Sequence, residues 1–427
     1  MLDLRQIRED PEGVRAALER RGDPQLRDVV DRLLAHDRDR RGWVTEVNDL
    51  KATRNRVSKE VGERKRSGAD AEDLITSMRA LGDRISGLDG QISETESEIN
   101  DLLLGTPNPP LAEVPLGGVE ANEIVSVWGD PPTFAHDPLP HWEIGEALRL
   151  LDLAAGAKVS GSGFPVLRGQ GARLQRELIS WMLDLHVEEH GYEECRVPYL
   201  VTRDSLIGTG QLPKFAEESY LSDRDDLWLI PTAEVPLTNL LRDELVPVAE
   251  LPVKYVAYTP CFRREAGAAG KDTRGLLRVH QFDKVELVRF EHPDRSREAL
   301  EELTEEAATV LKRLGLHHRV VRLAAGDLGF SGALTYDLEV WAPGVGGWLE
   351  VSSCTTFSDY QARRMNIRFK PTPADSPEFV HTLNGSGVAL PRLVVALLES
   401  GLQADGSVLL PEPLAARMGI ERLTPPG

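Results

Sequence analysis

Residues 259–288 bring together the side chains best suited to chemistry on a charged ligand. The stretch reads TPCFRREAGAAGKDTRGLLRVHQFDKVELV, with charged residues set between apolar ones in a chain that is acidic overall. Strand-like sequences over 258–267 and 276–288 flank small and charged residues at 268–275. This order predicts a long β-hairpin with its loop at 268–275.

Side chains alternate between the two faces of a strand, which sorts the residues of this hairpin. Arg263 and Glu265 are predicted to share a face of the first strand. On the second strand, the residues predicted to share a face are His280, Phe282, Lys284 and Glu286. A guanidinium, carboxylates and an aromatic ring on one sheet face could clamp a phosphate, hydrogen-bond a purine and stack on it. The alternative is an exposed hairpin whose charges only pair with one another.

Several common catalytic and nucleotide-binding motifs are missing from the sequence. It contains no GxxxxGK[ST], GxGxxG, HExxH or GxSxG pattern, so a P-loop, a dinucleotide fold, a zincin and an α/β-hydrolase are not indicated. A bound nucleotide would therefore have to be held by arginines and strand backbone.

Composition indicates a soluble globular protein of two or three domains. The 427 residues are 41% hydrophobic, and 50 Lys and Arg stand against 69 Asp and Glu, a formal net charge of −19. Such a surface repels nucleic acid except at a local basic patch. Three scattered cysteines without a CxxC pair argue against a disulfide framework. The sequence shows neither an apolar signal core nor an apolar run of 18 residues, so a cytoplasmic location without membrane contact is expected.

The N-terminal quarter carries two heptad-like patterns, over 26–61 and 74–102, whose seam positions include 26, 29, 33 and 36 in the first and 99 and 102 in the second. They predict two long antiparallel helices forming a coiled-coil arm of roughly 60 Å at 1.5 Å per residue. Residues 32–66 hold 11 Lys and Arg against 6 Asp and Glu, while 69–101 hold 2 against 9. The first helix could therefore face phosphates. Alternatively, the opposite charges merely attract across the hairpin.

Proline and glycine in 105–118 predict a linker after an N-terminal domain of residues 1–104. From 119 to 427, helical patterns mix with strand-like runs, several of them adjacent without a helix between. An α+β domain on a mainly antiparallel sheet with flanking helices is therefore expected.

The hairpin resembles motif 2 of class II aminoacyl-tRNA synthetases, in the form found in seryl-tRNA synthetases. Further matches occur in the family's order and, with the arm, span nearly the whole chain. They are 171–201 (motif 1), GTGQLPKF at 208–215, IPTAEVPLTN at 230–239, LEVSSCTTFSDYQARR at 349–364 and TLNGSGVALPRLVVALLES at 382–400 (motif 3).

This resemblance implies an ATP-dependent ligase that activates L-serine as seryl-adenylate and transfers it to the 3′ end of tRNA(Ser). Arg263 would hold the α-phosphate during in-line attack, and Glu265 would contact the nucleotide. Phe282 would stack on adenine, and Arg392 would lie by the adenine and the terminal phosphate. Arg263, Glu265 and Arg392 are the implied catalytic residues.

The resemblance also implies a Mg²⁺ ion and a pocket for serine. Glu350 and Ser353 match the magnesium-binding positions, and oxygen ligands suit that cation. Carboxylates and hydroxyls suit a substrate with an ammonium and a small hydroxyl group. The implied ATP-binding residues also include Val351 and Ser352. The implied serine-binding residues are Thr232, Glu234, Arg263, Glu286, Asn384 and Ser386.

In the same family motif 1 forms a dimer interface, here a helix over 174–190 that Gly191 ends. A homodimer whose arm reaches tRNA on the other subunit is therefore implied. Pro391 stands where the family more often has glycine before the arginine, which could alter the backbone at Arg392.

Three alternatives remain open from the residues alone. The chain could be a specialised, inhibitor-resistant paralog, a ligase that loads a carrier protein, or a catalytically silent tRNA-binding protein. Retention of the arm argues against the carrier ligase, and the intact charged residues argue against the silent protein.

Overall fold

The structure is a computed structural model that describes residues 1–266 and 273–425. Part of the predicted loop at 268–275 therefore lies outside the described residues. The helices are α1 (Leu4–Glu9), α2 (Pro11–Glu19), α3 (Gln25–Arg66), α4 (Glu72–Gly105), α5 (His141–Ala147), α6 (Leu153–Ser160), α7 (Gly169–Glu188), α8 (Arg203–Thr209), α9 (Glu234–Asn239), α10 (Ser296–Arg313), α11 (Tyr360–Met365), α12 (Leu390–Ser400) and α13 (Glu412–Met418).

Most strands are short, and the long ones lie in the second half of the chain. The strands are β1 (Glu123–Trp128), β2 (Leu151–Asp152), β3 (Val166–Leu167), β4 (Glu193–Glu194), β5 (Leu200–Thr202), β6 (Leu221–Ser222), β7 (Leu227–Leu229), β8 (Leu245–Val246), β9 (Val253–Phe262), β10 (Gln281–Glu291), β11 (His318–Arg322), β12 (Leu334–Ala342), β13 (Gly347–Ser358), β14 (Arg368–Phe369), β15 (Glu378–Phe379), β16 (His381–Ala389), β17 (Val408–Leu409) and β18 (Arg422–Leu423).

The described residues divide into two compact units. The first comprises Leu2–Glu19 and Asp23–Pro107. The second comprises Met1, Arg20–Gly22 and the chain from Asn108 onward.

The first unit is the helical arm that the heptad patterns predicted. α3 and α4 run side by side over their length, and Val47, Ile85 and Leu88 form a small core between them. Arg84 on α4 pairs with Glu46 on α3 at 2.8 Å, so the opposite charges of the two helices do attract in part.

Towards the start of α3 and the end of α4, Leu26, Leu33 and Ile99 are buried as the pattern predicted, but three other buried positions differ from it by one residue. Val30, Asp37 and Leu103 are buried, where the pattern predicted positions 29, 36 and 102. The helix α2 also packs on this part of α3, so the buried surface of α3 contacts both α2 and α4. Asp37 is buried as a charged group because Arg40 lies at 3.1 Å and Arg8 at 3.5 Å.

The second unit is built on an eight-stranded sheet, in the order β1-β11-β12-β13-β16-β10-β9-β4 among the described residues. Every neighbouring pair is antiparallel except β4 with β9. This confirms the predicted α+β class with a mainly antiparallel sheet. The helices α7, α10 and α12 cover one face and bury its apolar residues, while α8, α9 and α11 lie towards the other face.

The helix α7 buries one face, including Leu174, Leu178 and Met182, as its apolar spacing predicted. It ends at Glu188, two residues before the predicted end, and Gly191 follows with φ +71°. Among the described residues, no helix is both long and apolar enough to cross a membrane.

Candidate active site

The two faces of β10 have different surroundings, because side chains alternate along a strand. Val285 and Leu287 point into the hydrophobic core that the sheet shares with α7 and α12. Phe282, Lys284 and Glu286 therefore occupy the opposite face, the one that α9 approaches. This face of β10 carries Phe282 and Glu286, as the alternation predicted.

Both hairpin strands stop farther from the loop than predicted. β9 ends at Phe262 and β10 begins at Gln281, whereas the pattern predicted strands over 258–267 and 276–288. Residues 263–266 and 276–280 therefore lie outside the two regular strands.

Because β9 ends at Phe262, Glu265 lies outside the strand. Antiparallel pairing continues for one residue beyond β9, because the Arg263 N–H donates to the His280 carbonyl at 2.9 Å. Glu265 has φ +52°, a left-handed conformation that ends the extended run. The prediction that Arg263 and Glu265 share a strand face is therefore wrong.

Arg263 and Phe282 lie against each other on the exposed end of this face. The guanidinium carbon of Arg263 is 5.1 Å from the centroid of the Phe282 ring, which is a cation–π distance. Arg263 also donates from Nε to the Pro231 carbonyl at 3.4 Å. A fixed guanidinium beside an aromatic face suits an anionic ligand that carries a planar base.

Glu286 is the centre of a buried cluster of polar side chains. Its carboxylate accepts hydrogen bonds from Asn384 Nδ2 at 2.9 Å and from Ser386 Oγ at 3.2 Å. Lys284 Nζ lies 2.5 Å from the same carboxylate and compensates its charge. These residues come from neighbouring strands, since Glu286 pairs with Ser386 in the register of β10 and β16.

A second buried carboxylate faces the first from α9. Burial raises the pKa of Glu234 to about 7, and the negative charge of Glu286 adds to the rise. A hydrogen bond from Gln361 Nε2 at 2.6 Å acts in the opposite direction. The Thr232 hydroxyl oxygen accepts the backbone N–H of Glu234 at 3.2 Å. The structure thus brings Glu234 close to both Thr232 and Glu286, three residues that the family resemblance implied for serine binding.

The residues after the loop connect two other predicted site residues. Glu265 pairs with Arg278 at 2.9 Å. Arg392 donates from Nε to the Leu277 carbonyl at 3.3 Å and from Nη1 to the Glu350 carbonyl at 2.8 Å. Both predicted nucleotide contacts are therefore held by the segment that returns to β10.

Pro391 does not disturb this arrangement. It is the second residue of α12, a position where a backbone N–H has no partner within the helix, so proline costs no hydrogen bond there.

Glu350 and Ser353 lie on one face of β13, beside acidic residues of β12. Asp337 pairs with Ser353 in the sheet register, and Glu339 pairs with Glu350. Burial and the charge of Glu350 raise the pKa of Asp337, while a hydrogen bond with Ser353 lowers it in part. Asp337 Oδ1 is a buried acceptor without a hydrogen-bond partner among the described residues.

This donor set fits a Mg²⁺ ion that is bound mainly through nucleotide phosphates. Such an ion takes one or two protein carboxylates and keeps several other oxygen ligands. Among the described residues, no three His, Cys, Asp or Glu side chains are grouped so as to hold a metal by themselves. The nearby Asp337 acceptor adds to the oxygen-rich, negative surroundings of Glu350 and Ser353.

Val351 and Ser352 differ from the other predicted ATP-binding residues in the direction of their side chains. Val351 belongs to the hydrophobic core, and the Ser352 hydroxyl donates to the Ser386 carbonyl at 2.7 Å. Only their backbone groups are therefore suited to contact a ligand on the other face.

Several residues of this site had no role in the sequence analysis. Gln361 joins Glu234 to the Thr382 hydroxyl, which donates to Gln361 Oε1 at 2.7 Å. Arg278 and Asp337 were likewise not singled out. Nothing in the local pattern marks them, because each acts on a residue of another segment or strand.

Comparisons with known proteins identify the class to which the chain belongs. Residues 216–401 match the family model of the tRNA synthetase class II core domain (G, H, P, S and T), and residues 1–110 match the seryl-tRNA synthetase N-terminal domain. Together with the mainly antiparallel sheet and the charged hairpin, these matches define a class II aminoacyl-tRNA synthetase.

Full-length relatives narrow the class to one family. The chain is 54% identical to the serine–tRNA ligase of Gemmatimonas aurantiaca and 53% identical to that of Geobacillus kaustophilus, each over 98% of this chain and 99% of the relative. The chain belongs to the seryl-tRNA synthetase family, whose members are ATP-dependent aminoacyl-tRNA ligases.

Solved structures extend the likeness to the whole fold. The crystal structure of seryl-tRNA synthetase from Pyrococcus horikoshii complexed with ATP has a TM-score of 0.94 at 35% identity, covering 100% of both chains. That of the cytoplasmic serine–tRNA ligase from Naegleria fowleri in complex with AMP has a TM-score of 0.88 at 28% identity, covering 100% of this chain and 99% of the other.

Proposed function

We propose that the protein activates L-serine with ATP to give seryl-adenylate and pyrophosphate, and then transfers serine to the 3′ end of tRNA(Ser). The observation that carries this proposal is the pocket around Glu286, with Asn384 and Ser386 on its carboxylate and Glu234 opposite. It lies on the same sheet face as Arg263 and Phe282.

This pocket supports recognition of serine by its polar groups. The carboxylates of Glu234 and Glu286 suit the ammonium group of the substrate, and Thr232, Asn384 and Ser386 can exchange hydrogen bonds with its hydroxyl. Alanine would leave such buried groups without a partner, which disfavours it strongly. Threonine would be excluded by the size of its added methyl group.

The exposed end of the face supports binding of ATP. Arg263 holds the α-phosphate, where charge grows when the serine carboxylate attacks in line, and Phe282 stacks on adenine. Glu265 contacts the nucleotide, and Arg392 lies by the adenine and the terminal phosphate. No protein nucleophile is needed, because orientation and charge stabilisation supply the catalysis.

Glu350 and Ser353 would hold Mg²⁺ in this proposal. When bound, the ion neutralises charge on the phosphates. Backbone groups of Val351 and Ser352 complete the wall of the nucleotide site, and Arg392 is oriented there by the Glu350 carbonyl at 2.8 Å.

The arm is assigned to tRNA. Arg41, Arg56, Lys59 and Lys65 are exposed on α3 and belong to none of the ion pairs found among the described residues. Their charges are thus available for phosphates, whereas Arg84 is paired with Glu46. We assign residues 1–104 to the tRNA-binding domain, residues 105–118 to the linker and residues 119–427 to the catalytic domain.

A homodimer is also proposed. Val159, on α6, is 79% exposed, and with Phe164 and Ile179 it lines an open groove beside α7. An exposed apolar side chain such as Val159, with partly buried Phe164 and Ile179 beside it, favours a partner surface, and a second copy of the chain is the partner that the family resemblance implies. The three cysteines are free thiols, which suits the proposed cytoplasmic location.

The test of the proposed reaction is ATP–pyrophosphate exchange without tRNA, measured separately with serine, alanine and threonine. Serine is expected to give by far the highest rate. Higher exchange with alanine or threonine would overturn the assignment. Absence of exchange together with tight tRNA(Ser) binding would instead support a catalytically silent tRNA-binding protein.

A further inference from the structure

A buried histidine–glutamate pair lies outside the residues assigned above and reaches the nucleotide site through the backbone. His141, at the start of α5, and Glu399, near the end of α12, are both fully buried. His141 Nδ1 lies 2.9 Å from Glu399 Oε1, and the backbone N–H of His141 donates to the same oxygen at 3.0 Å.

The carboxylate of Glu399 is satisfied on both sides. Its Oε2 accepts the backbone N–H groups of Gly344 at 2.8 Å and Val345 at 3.1 Å. Glu399 is therefore a fixed acceptor, tied to the turn between β12 and β13, and it sets the orientation of the His141 ring.

The other ring nitrogen of His141 holds the backbone after the loop. The Leu276 N–H donates to His141 Nε2 at 2.9 Å in a buried environment. Because Nε2 accepts this bond, the ring proton belongs on Nδ1, where it is donated to Glu399. The pair thus uses one ring nitrogen to bind α12 and the other to fix Leu276.

The fit at this point is close. A Cβ at Gly275, which has φ +61°, would lie 2.2 Å from His141 Nε2. Arg274, the preceding residue, stands over the Trp142 ring with its guanidinium carbon 4.6 Å from the ring centroid. His141 and Trp142 therefore hold two consecutive parts of the same segment.

The same segment contacts two residues that are proposed to bind the nucleotide. The Leu277 carbonyl accepts from Arg392 Nε at 3.3 Å, and Arg278 pairs with Glu265 at 2.9 Å. Arg392 and Glu399 belong to the same helix, so α12 meets the segment both directly and through His141.

We propose that His141 is a positioning residue for ATP, which acts by fixing the Leu276 amide and thereby the placement of Arg392 and Glu265. This inference rests on the function proposed above. His141 touches no reacting atom, and its effect is expected on ATP binding rather than on serine recognition.

Two substitutions separate this role from simple burial. In H141Q the side-chain amide oxygen can take the place of Nε2 as the acceptor for Leu276, while the bond to Glu399 is removed. In H141N the amide nitrogen can take the place of Nδ1 and keep the bond to Glu399, while the acceptor for Leu276 is removed.

The experiment measures KM for ATP and for serine in pyrophosphate exchange by the full-length protein and both variants, together with their thermal unfolding. H141N is expected to raise KM for ATP about tenfold or more, with KM for serine little changed, and H141Q to stay within about twofold of the unsubstituted protein. Equal effects of the two variants on KM for ATP, or a larger effect of H141Q, would overturn the proposal.

A second measurement needs no variant and no activity. Amide hydrogen exchange of the ligand-free protein, followed on peptides covering residues 274–279, is expected to show slow exchange at Leu276. Exchange at the unprotected rate would overturn the anchor. If the unsubstituted protein showed no serine-dependent exchange of pyrophosphate, the proposed function would fail while this measurement still tested the anchor.

Discussion

Asn384 donates to Glu286 across two neighbouring strands, with Nδ2 2.9 Å from Oε1. The bond joins β16 to β10, and Ser386 adds a second donor to the same carboxylate. Because β10 also carries Phe282, with Arg263 beside it, a single strand links the amino-acid pocket to the nucleotide end of the face.

Glu286→Gln should raise KM for serine about a hundredfold and leave KM for ATP nearly unchanged. The substitution removes a charge that accepts two hydrogen bonds, pairs with Lys284 and is proposed to face the substrate ammonium, and such charge-assisted bonds contribute about 1.5–3 kcal/mol each. Steady-state exchange kinetics measure both constants. Asp283→Asn is the matched control, because Asp283 lies on the other face of β10 and hydrogen-bonds Tyr258 at 3.0 Å. An equal rise in both constants would argue against a serine pocket here.

Arg263→Ala should lower kcat for exchange by about 10²–10³, since it removes a charge that is aimed at the developing phosphate charge. Arg263→Lys should recover only part of the rate, because an ammonium cannot reproduce the planar fork of a guanidinium. The neighbouring exposed Arg264→Ala is the control and should change kcat little. Comparable losses at both arginines would contradict the assigned role of Arg263.

Serine binding should strengthen as pH rises from about 6 to 8, because Glu234 loses its proton near pH 7. Its folded-state pKa lies above the ordinary 4.5, so the folded protein holds a proton that the unfolded chain releases between the two values. The raised pKa therefore adds to the free energy of unfolding below pH 4.5, and this contribution is lost as pH rises through about 7. Glu234→Gln should remove both trends. A serine KM independent of pH in the unsubstituted protein would count against this account.

Gly87→Ala and Gly90→Ala should each stabilise the arm by about 1 kcal/mol. Both glycines lie in the interior of α4, are exposed, and have no atom within 4 Å of an added Cβ. Hydrogen exchange of α4 measures the gain. Gly68→Ala is the matched control, since Gly68 has φ +74° in the turn between α3 and α4, and the same change should destabilise there. Stabilisation at Gly68 would contradict the backbone argument.

Replacing Arg41, Arg56, Lys59 and Lys65 together with alanine should weaken charging of tRNA(Ser) and spare exchange without tRNA. It should also flatten the salt dependence of tRNA binding by about one unit of slope for each phosphate that the arm no longer neutralises. Arg84→Ala, which removes a cation paired with Glu46, is the control. A more drastic form deletes residues 32–100. Full charging by that deletion variant would show that the arm does not serve tRNA.

The sequence predicted much of the fold because its patterns are long and regular. The heptads located α3 and α4, and the alternation on β10 located Phe282 and Glu286 on a polar face. The end of β9 could not be predicted, since a left-handed residue such as Glu265 is not marked by its type. The buried positions Val30, Asp37 and Leu103 differ by one residue from the predicted pattern, in a region where α2 also packs on α3.

Contacts between residues that are distant in sequence could not be predicted for the site. Gln361 meets Glu234 at a separation of 127 residues, and His141 meets Glu399 at 258. Burial and tertiary packing create these pairs, and no local spacing of residues in the sequence predicts them. The roles of the individual site residues therefore stay predictions that the experiments above address.

The central claim is tested most directly by a crystal structure with a non-hydrolysable seryl-adenylate analogue. The account predicts the serine ammonium and hydroxyl groups between Glu234, Glu286 and Ser386, the adenine on Phe282, and the phosphate mimic at Arg263. An analogue bound elsewhere, or Arg263 and Phe282 directed away from it, would contradict the account.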